Sequence, residues 1–146
     1  LRERSAAYPI EIPYRLINMY SVYGDTVLDP FWGTGTTTLA AMAAARNSVG
    51  YELDSALVAA FEGRVEGVPE LSEGIARSRL AAHRELVDAE RNAGGEFGYR
   101  ADHYEFPVRT KQERDLRLYG VDRLERRDGD FRAVHRSIEA DAVGRE

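Results

Sequence analysis

The chain of 146 residues predicts an α/β domain, and two observations in its first half carry that prediction. Short runs of β-branched and apolar residues at 26–29 and 48–52 alternate with stretches of helical composition at 36–46 and 54–68. Strand, helix, strand and helix at this spacing are typical of a parallel sheet with crossover helices. With 43% hydrophobic residues, the chain also has enough apolar material for the core of one domain.

The first two helices follow from proline, alanine and glycine positions. Pro13 is tolerated in the first turn of a helix, so a helix is predicted over 13–21, with Gly24 in the left-handed conformation that ends it. The alanine-rich stretch at 36–46 favours helix and allows close packing on a sheet. Asn47 is its predicted C-terminal cap.

The first strand and the later helices follow by the same rules. The run that ends at Asp29 predicts a buried strand. Asp54 is expected to cap a helix that extends to about Val68. Pro69 and Gly74 predict a break before a longer helix over 75–92.

Alternating aromatic and charged residues from Tyr99 onward predict two short strands. The last twenty residues, rich in Arg, Asp and Glu, are expected to form a loose tail. Arginines near 114–127 alternate with acidic residues, a pattern typical of a solvated face.

Composition excludes several classes of function. The 25 acidic against 20 basic residues give a charge of −5, so net charge does not argue for nucleic-acid binding. The lack of cysteine excludes disulfides and a thiolate nucleophile, and three histidines without metal spacing predict no metal site. No apolar run is long enough for a membrane span or a signal peptide, so we expect a cytoplasmic chain with no membrane partner.

The stretch that carries chemistry lies at 29–37, Asp-Pro-Phe-Trp-Gly-Thr-Gly-Thr-Thr, between the first strand and the next helix. A glycine-rich turn before a helix presents free N–H groups and the positive end of the helix dipole to a carboxylate or phosphate. Glu52 ends the second predicted strand, where a carboxylate can accept both hydroxyls of a ribose. The sequence therefore predicts a slot for a nucleoside that carries an anionic group.

The identity of the nucleoside is narrowed by what surrounds the glycines. A phosphate-binding P-loop needs a lysine directly after its last glycine, but the one lysine of the chain is Lys111. A nucleoside triphosphate is therefore not expected. Thr38 stands where the dinucleotide pattern has a third glycine or alanine. That pattern is therefore incomplete, and NAD is the weaker alternative. Asp29 would repel a pyrophosphate but could bind the α-ammonium of S-adenosylmethionine. We expect Phe31 or Trp32 to flank the adenine or a base pocket.

The run from Val27 to Thr37 resembles the S-adenosylmethionine motif of the amino-group DNA methyltransferases, which methylate N6 of adenine or N4 of cytosine. Residues 8–17 resemble the segment before this loop in permuted members, and Glu52 matches the ribose-binding acid. The resemblance covers about 5–62 and implies a Rossmann-like methyltransferase fold, incomplete in this chain. It implies that the following residues bind the cofactor: Tyr8, Pro9, Asp29, Pro30, Phe31, Gly33, Thr34, Gly35, Thr36, Thr37 and Glu52.

One motif of the family is missing. Its members hold the target base with Asp, Asn or Ser followed by two prolines and an aromatic residue, but no two of the five prolines here are adjacent. The resemblance therefore implies a C-terminal portion, with the cofactor-binding part at 1–110 and a terminal strand and charged tail at 111–146. DNA would be bound by the complete enzyme, whose upstream segment or companion polypeptide carries the catalytic motif.

Two alternatives remain open at this point. The chain could be a non-catalytic partner or remnant whose glycine loop is structural. It could also belong to a methyltransferase that acts on RNA or on a small molecule.

Overall fold

The computed structural model describes residues 8–139. A 3₁₀ turn at Gln112–Asp115 precedes the last two strands. The other elements follow in the order α1 (Glu11–Tyr20), β1 (Thr26–Asp29), α2 (Thr36–Ala43), β2 (Asn47–Gly50), α3 (Ser55–Val65), α4 (Val68–Asn92), β3 (Tyr99–Arg100), β4 (Pro107–Val108), β5 (Tyr119–Arg127) and β6 (Asp130–Ser137).

The first half forms the predicted α/β unit. Strands β1 and β2 are parallel, with Thr26 opposite Asn47 and Asp29 opposite Gly50, and α2 is the crossover between them. Val27 packs against a cluster that helices α1 and α2 form. The α/β prediction is confirmed, and this strand–helix–strand unit is the described part of a Rossmann-like fold.

The opposite face of this sheet is uncovered within residues 8–139. Leu28 and Val49 face each other in register, and they are 62% and 45% exposed. The prediction of a buried first strand is therefore wrong on this face. Since parallel sheets normally have both faces covered, the unit is a partial sheet as it stands.

The ends of α1 and α2 differ from the prediction. Helix α1 begins two residues before Pro13, which lies in its first turn, and ends at Tyr20, ahead of the left-handed Gly24. Helix α2 ends at Ala43 because Ala45 adopts a positive φ of 57° and turns the chain. Asn47 is not a helix cap but the first residue of β2.

Asp54 caps α3 as predicted, since its Oδ1 accepts a hydrogen bond of 2.9 Å from the backbone N–H of Ala56. The helix ends at Val65, however, before the predicted end at Val68. The predicted break at Pro69 and Gly74 is wrong, because one helix, α4, passes through both. Proline is tolerated in a first turn, where its missing N–H has no carbonyl to serve.

The stripe that α4 buries explains its length. Buried residues recur every fourth position across the predicted break, at Val68, Ser72, Ala76 and Leu80. This spacing keeps them on one helical face, so tertiary packing outweighs the cost of one glycine in the helix.

The last part of the chain forms an antiparallel hairpin of β5 and β6. The expectation of a loose tail is wrong for Asp130–Ser137, and residues 140–146 lie outside the described ones. Asp128 and Gly129 both adopt positive φ in the two-residue turn, and Asp-Gly is among the strongest hairpin signals in a sequence. The predicted strands before it become a short β3–β4 pair and the start of β5.

Two clusters of buried side chains stabilise these elements. One lies between α4, the β3–β4 region and the hairpin, and it includes Leu80, Phe106 and Leu118. In the other, Val121 of the hairpin joins Phe61 of α3, so the hairpin and the α/β unit share a core. The functional division at residue 110 stays a prediction. None of the helices within residues 8–139 is long and apolar enough to cross a membrane.

Candidate nucleoside-binding site

The glycine loop connects the end of β1 to the start of α2. Gly33 and Gly35 adopt positive φ values of 57° and 74°, a region that favours glycine. A Cβ on Gly35 would overlap the ring of Phe61, whereas a Cβ on Gly33 would meet only the carbonyl oxygen of Phe31, at 3.9 Å. Gly35 is therefore required for packing beneath the loop, and the backbone at Gly33 is open to a ligand.

Glu52 lies two residues beyond the end of β2 and reaches back to the loop. Its Oε2 accepts a hydrogen bond of 2.8 Å from the N–H of Gly33, and its Oε1 accepts from the N–H groups of Leu53 and Asp54 at 2.8 and 2.9 Å. These amides, with Asp54 first, lower the pKa of the Glu52 carboxyl below its ordinary value. The carboxylate is thus oriented and charged, and Oε2, which accepts one hydrogen bond where Oε1 accepts two, keeps a lone pair for a further donor.

Asp29 lies at the same edge of the sheet as Glu52. The N–H of Tyr51 donates to the carbonyl of Asp29, and the N–H of Trp32 donates to the carbonyl of Tyr51, both at 3.0 Å. The Asp29 Oδ1 accepts from the N–H of Phe31 at 3.1 Å, which shapes the turn. Within residues 8–139, the other carboxylate oxygen has no hydrogen-bond partner.

The first turn of α2 supplies donors for an anion. The first backbone hydrogen bond of this helix runs from Leu39 to Gly35. The amides of Thr36, Thr37 and Thr38 therefore have no carbonyl acceptor among the described residues. Free amides and the helix dipole at this end favour an anionic group, as expected from the sequence.

Of the two predicted upstream residues, Tyr8 reaches this helix and Pro9 bonds to the start of α1. Tyr8 is half-exposed, and its hydroxyl lies 2.6 Å from the Thr37 hydroxyl. The carbonyl of Pro9 accepts a hydrogen bond from the N–H of Ile12 as α1 begins. Pro30 is exposed beside the loop. The structure thus brings the residues proposed from the sequence to one end of α2 and to the adjoining loop.

The two aromatic residues of the loop point to different environments. Phe31 is 88% exposed. Trp32 packs on Phe61, with ring centroids 4.5 Å apart, and its Nε1 donates to the Thr38 hydroxyl at 2.7 Å. The indole lies so close to Gly50 that any Cβ there would overlap it. Trp32 therefore supports the loop from inside, while Phe31 is free to contact a ligand.

A cavity of about 680 Å³ lies against the unpaired edge of β2 and not at the glycine loop. Helices α2 and α3 and strand β6 form its other walls, with Met42, Phe61 and His135 among the lining residues. Trp32 is shared between this cavity and the loop.

Sequence reasoning missed Arg64 on α3. Its Nη1 donates to the Thr34 hydroxyl at 2.6 Å and the Thr34 carbonyl at 2.8 Å, and it lies 3.3 Å from the Thr36 hydroxyl. No spacing rule points from the loop to an arginine 30 positions later, so only the packing of α3 reveals it.

Among residues 8–139, no group of three or more metal-ligating side chains is placed to hold a metal ion.

A glycine loop between a parallel strand and a helix, tied to an acid that follows the next strand, places this unit among the nucleoside-binding α/β domains. A family model for DNA methylases matches residues 3–62. This match confirms the resemblance to the amino-group DNA methyltransferases that the glycine loop carries, over these residues.

Individual relatives agree with this assignment. The type II methyltransferase M.MthZI of Methanothermobacter thermautotrophicus is 50% identical over 119 residues, which are 82% of this chain and 32% of that protein. The type II methyltransferase M.MjaI of Methanocaldococcus jannaschii is 54% identical over 65 residues, 44% of this chain and 22% of that protein. The chain therefore spans about a third or less of the length of these relatives.

Among solved structures, the chain is similar to one described as a putative DNA modification methylase from Thermus thermophilus in complex with S-adenosyl-L-methionine. The sequence identity is 41%, the TM-score is 0.41, and the match covers 42% of this chain and 26% of that one.

Proposed function

We propose that this chain is the S-adenosylmethionine-binding portion of a DNA methyltransferase that modifies an exocyclic amine, N6 of adenine or N4 of cytosine. The observation that carries the proposal is the hydrogen bond between Glu52 and the Gly33 amide. This bond supports the proposal, because it brings the acid proposed to bind the ribose beside an open glycine backbone and a helix N-terminus. The family match over residues 3–62 supports a methyl donor in preference to NAD.

The site has a group for each polar part of the donor. The free amides at the start of α2 suit its carboxylate. The unpaired oxygen of Asp29 suits its ammonium, and the remaining lone pair of Glu52 Oε2 suits a ribose hydroxyl. The residues proposed to contact the donor are Tyr8, Pro9, Asp29, Pro30, Phe31, Gly33, Thr34, Gly35, Thr36, Thr37 and Glu52.

When bound, S-adenosylmethionine supplies a methyl group on a sulfonium, which an amine nitrogen can accept in line. The described residues bind and orient this donor, and none of them is proposed as a catalytic residue. The target base must leave the duplex to reach the site, at a cost of a few kcal/mol. No cysteine adduct is required, and no metal or membrane takes part in the proposal.

The catalytic motif is proposed to come from an upstream segment or a companion polypeptide, and DNA is proposed to bind to the complete enzyme in the cytoplasm. The uncovered sheet face with Leu28 and Val49 supports this, because an apolar face of a parallel sheet needs a cover. Helix α1 adds an exposed apolar stripe of Ile12, Leu16 and Met19. Helix α1 packs on the other face of the sheet, so its stripe is a second exposed apolar surface, and such surfaces mark sites of interaction.

Calorimetry on the 146-residue chain tests the cofactor assignment. We expect S-adenosylmethionine to bind and NAD not to bind. Glu52→Ala should weaken binding about tenfold or more, since a hydrogen bond between a charged group and the ribose is lost. Glu66→Ala, an exposed acid at the end of α3, is the matched control and should bind like the unmodified chain. Equal affinity of the Glu52 variant would remove the ribose assignment.

Reconstitution tests the reaction. The chain is mixed with the polypeptide encoded immediately upstream, with labelled donor, and with duplex DNA or RNA. Labelled DNA is the expected product, and Leu28→Glu should reduce it by disturbing the sheet face. Labelled RNA with unlabelled DNA would favour an RNA methyltransferase, and no transfer to any acceptor would favour a non-catalytic partner or remnant.

A further inference from the structure

We infer that Arg64 is a positioning residue for the cofactor site, which sets the orientation of the glycine loop from the neighbouring helix. This inference rests on the proposed function but assigns a role to a residue outside the family motif and the ribose-binding acid. Arg64 lies in the last turn of α3, and its guanidinium donates to the carbonyl and hydroxyl oxygens of Thr34.

Thr34 is the loop residue that most needs an external partner. It stands between two glycines in the left-handed region, where the backbone has the widest conformational freedom. Its side chain is only partly buried. Without a partner from another element, the peptide groups around Thr34 could rotate at little cost, and the amides of the loop would not keep one direction.

The peptide group between Thr34 and Gly35 is held at both ends. Its carbonyl accepts the hydrogen bond from Arg64 at 2.8 Å, and its N–H donates to the carbonyl of Trp32 at 2.9 Å. A peptide group is planar, so two such bonds fix the orientation of the whole unit.

The peptide group between Trp32 and Gly33 is held in the same way. Its carbonyl accepts from Gly35, and its N–H donates to Glu52 at 2.8 Å. The intervening N–H of Thr34 has no acceptor among residues 8–139. Glu52 and Arg64 thus hold the two sides of the loop through charges of opposite sign, and the Thr34 amide between them is left for the ligand.

Arg64 has a guanidinium geometry that lysine lacks. The Thr36 hydroxyl, 3.3 Å from Nη1, is a third acceptor within reach at the start of α2. Nη1 has two N–H groups, which suffice for the two Thr34 oxygens, and the planar guanidinium holds them in fixed directions, whereas an ammonium rotates freely. The arginine is exposed, so its removal should alter loop order far more than global stability.

The test compares the unmodified chain with Arg64→Met, Arg64→Lys and the control Arg91→Met, which removes an arginine from the last turn of α4. Calorimetry should show S-adenosylmethionine binding about tenfold weaker in Arg64→Met, partly restored in Arg64→Lys and unchanged in the control. Amide hydrogen exchange of the free chain should be faster at Gly35 in Arg64→Met. The thermal midpoint without ligand should stay close to that of the unmodified chain, which separates positioning from a general structural role.

Each outcome is decisive. Unchanged affinity and Gly35 exchange in Arg64→Met would overturn the inference, as would equal weakening by Arg64→Met and Arg91→Met. If the unmodified chain does not bind the donor, the proposed function fails, but faster Gly35 exchange in the variant would still support loop positioning. If Arg64→Met does not fold, Arg64→Lys serves instead, and its affinity should be weaker than that of the unmodified chain.

Discussion

The α/β unit and the hairpin region of this chain treat their apolar residues in opposite ways. The unit that carries the glycine loop leaves Leu28 and Val49 exposed on one face of its sheet. The region formed by α4 and the β5–β6 hairpin buries Leu80, Phe106 and Leu118 in its own core. The site is thus built on the part of the chain whose sheet face is uncovered within residues 8–139, and the core that this part shares with the hairpin stabilises its scaffold.

The two regions also differ in the charge of their exposed surfaces. In the hairpin, Arg123 pairs with Asp122 and Glu125, and Arg127 pairs with Glu125, where Glu125 is half-buried and the other side chains are exposed. Such pairs contribute little to stability but keep a surface solvated. The exposed sheet face has apolar side chains instead, which suits a surface that another polypeptide covers.

The largest expected effect is a difference in the free energy of unfolding between two matched variants, one in each region. Leu80→Ala removes a side chain that is 2% exposed and should lower the free energy of unfolding by about 2–5 kcal/mol. Leu28→Ala removes the same atoms from the uncovered face and should change it by less than about 0.5 kcal/mol. Urea denaturation measures both, and equal losses would show that the sheet face is covered in the isolated chain.

The next largest effect on stability compares Gly35 in the loop with Gly74 in α4. Gly35→Ala introduces a side chain at positive φ, at about 1–2 kcal/mol. Overlap with the Phe61 ring adds about 1–3 kcal/mol. Gly74→Ala, in α4 with open space around it, should stabilise the chain by up to about 1 kcal/mol. Thermal unfolding of the two variants should shift in opposite directions, and a stable Gly35→Ala chain would contradict the packing of the loop on α3.

The smallest expected effect is the pH dependence of the hydrogen bonds between Glu52 and the loop. Backbone amides lower the pKa of Glu52, so its bonds to the loop are present above the ordinary value of 4.5. They are lost only as the pH falls through the lower pKa of the folded state. A ¹³C titration of the Glu52 carboxyl should have its midpoint below 4.5. The chemical shift of the Gly33 amide should titrate with the same midpoint, and this pH dependence should be absent in Glu52→Gln. A midpoint above 4.5 would contradict the hydrogen bonds.

The sequence predicted the parts of the fold that depend on local chemistry. The α/β order, the glycine loop and the Asp54 cap all follow from residues close together in the chain, and the structure has each of them. The proximity of Asp29 and Glu52 was also predictable, because the carboxyl ends of parallel strands meet at one edge. The Asp128-Gly129 turn was readable as well, but the charged composition around it suggested a tail.

Other features depended on distant packing. The length of α4 is set by a buried stripe that outweighs the local signals of Pro69 and Gly74. The exposure of Leu28 could not be predicted, because an apolar strand residue looks the same whether or not another polypeptide covers it. Arg64 reaches Thr34 only because α3 packs beside the loop.

By itself, the sequence determined that this protein has a strand, a glycine loop, a helix and an acid in the order expected of the proposed donor site, since these features depend on backbone freedom and side-chain charge. The tertiary structure alone decided which peptide groups of the loop are held and which one is left for a ligand. That choice depends on hydrogen bonds from Glu52 and Arg64, and a direction in space is not encoded in local propensity.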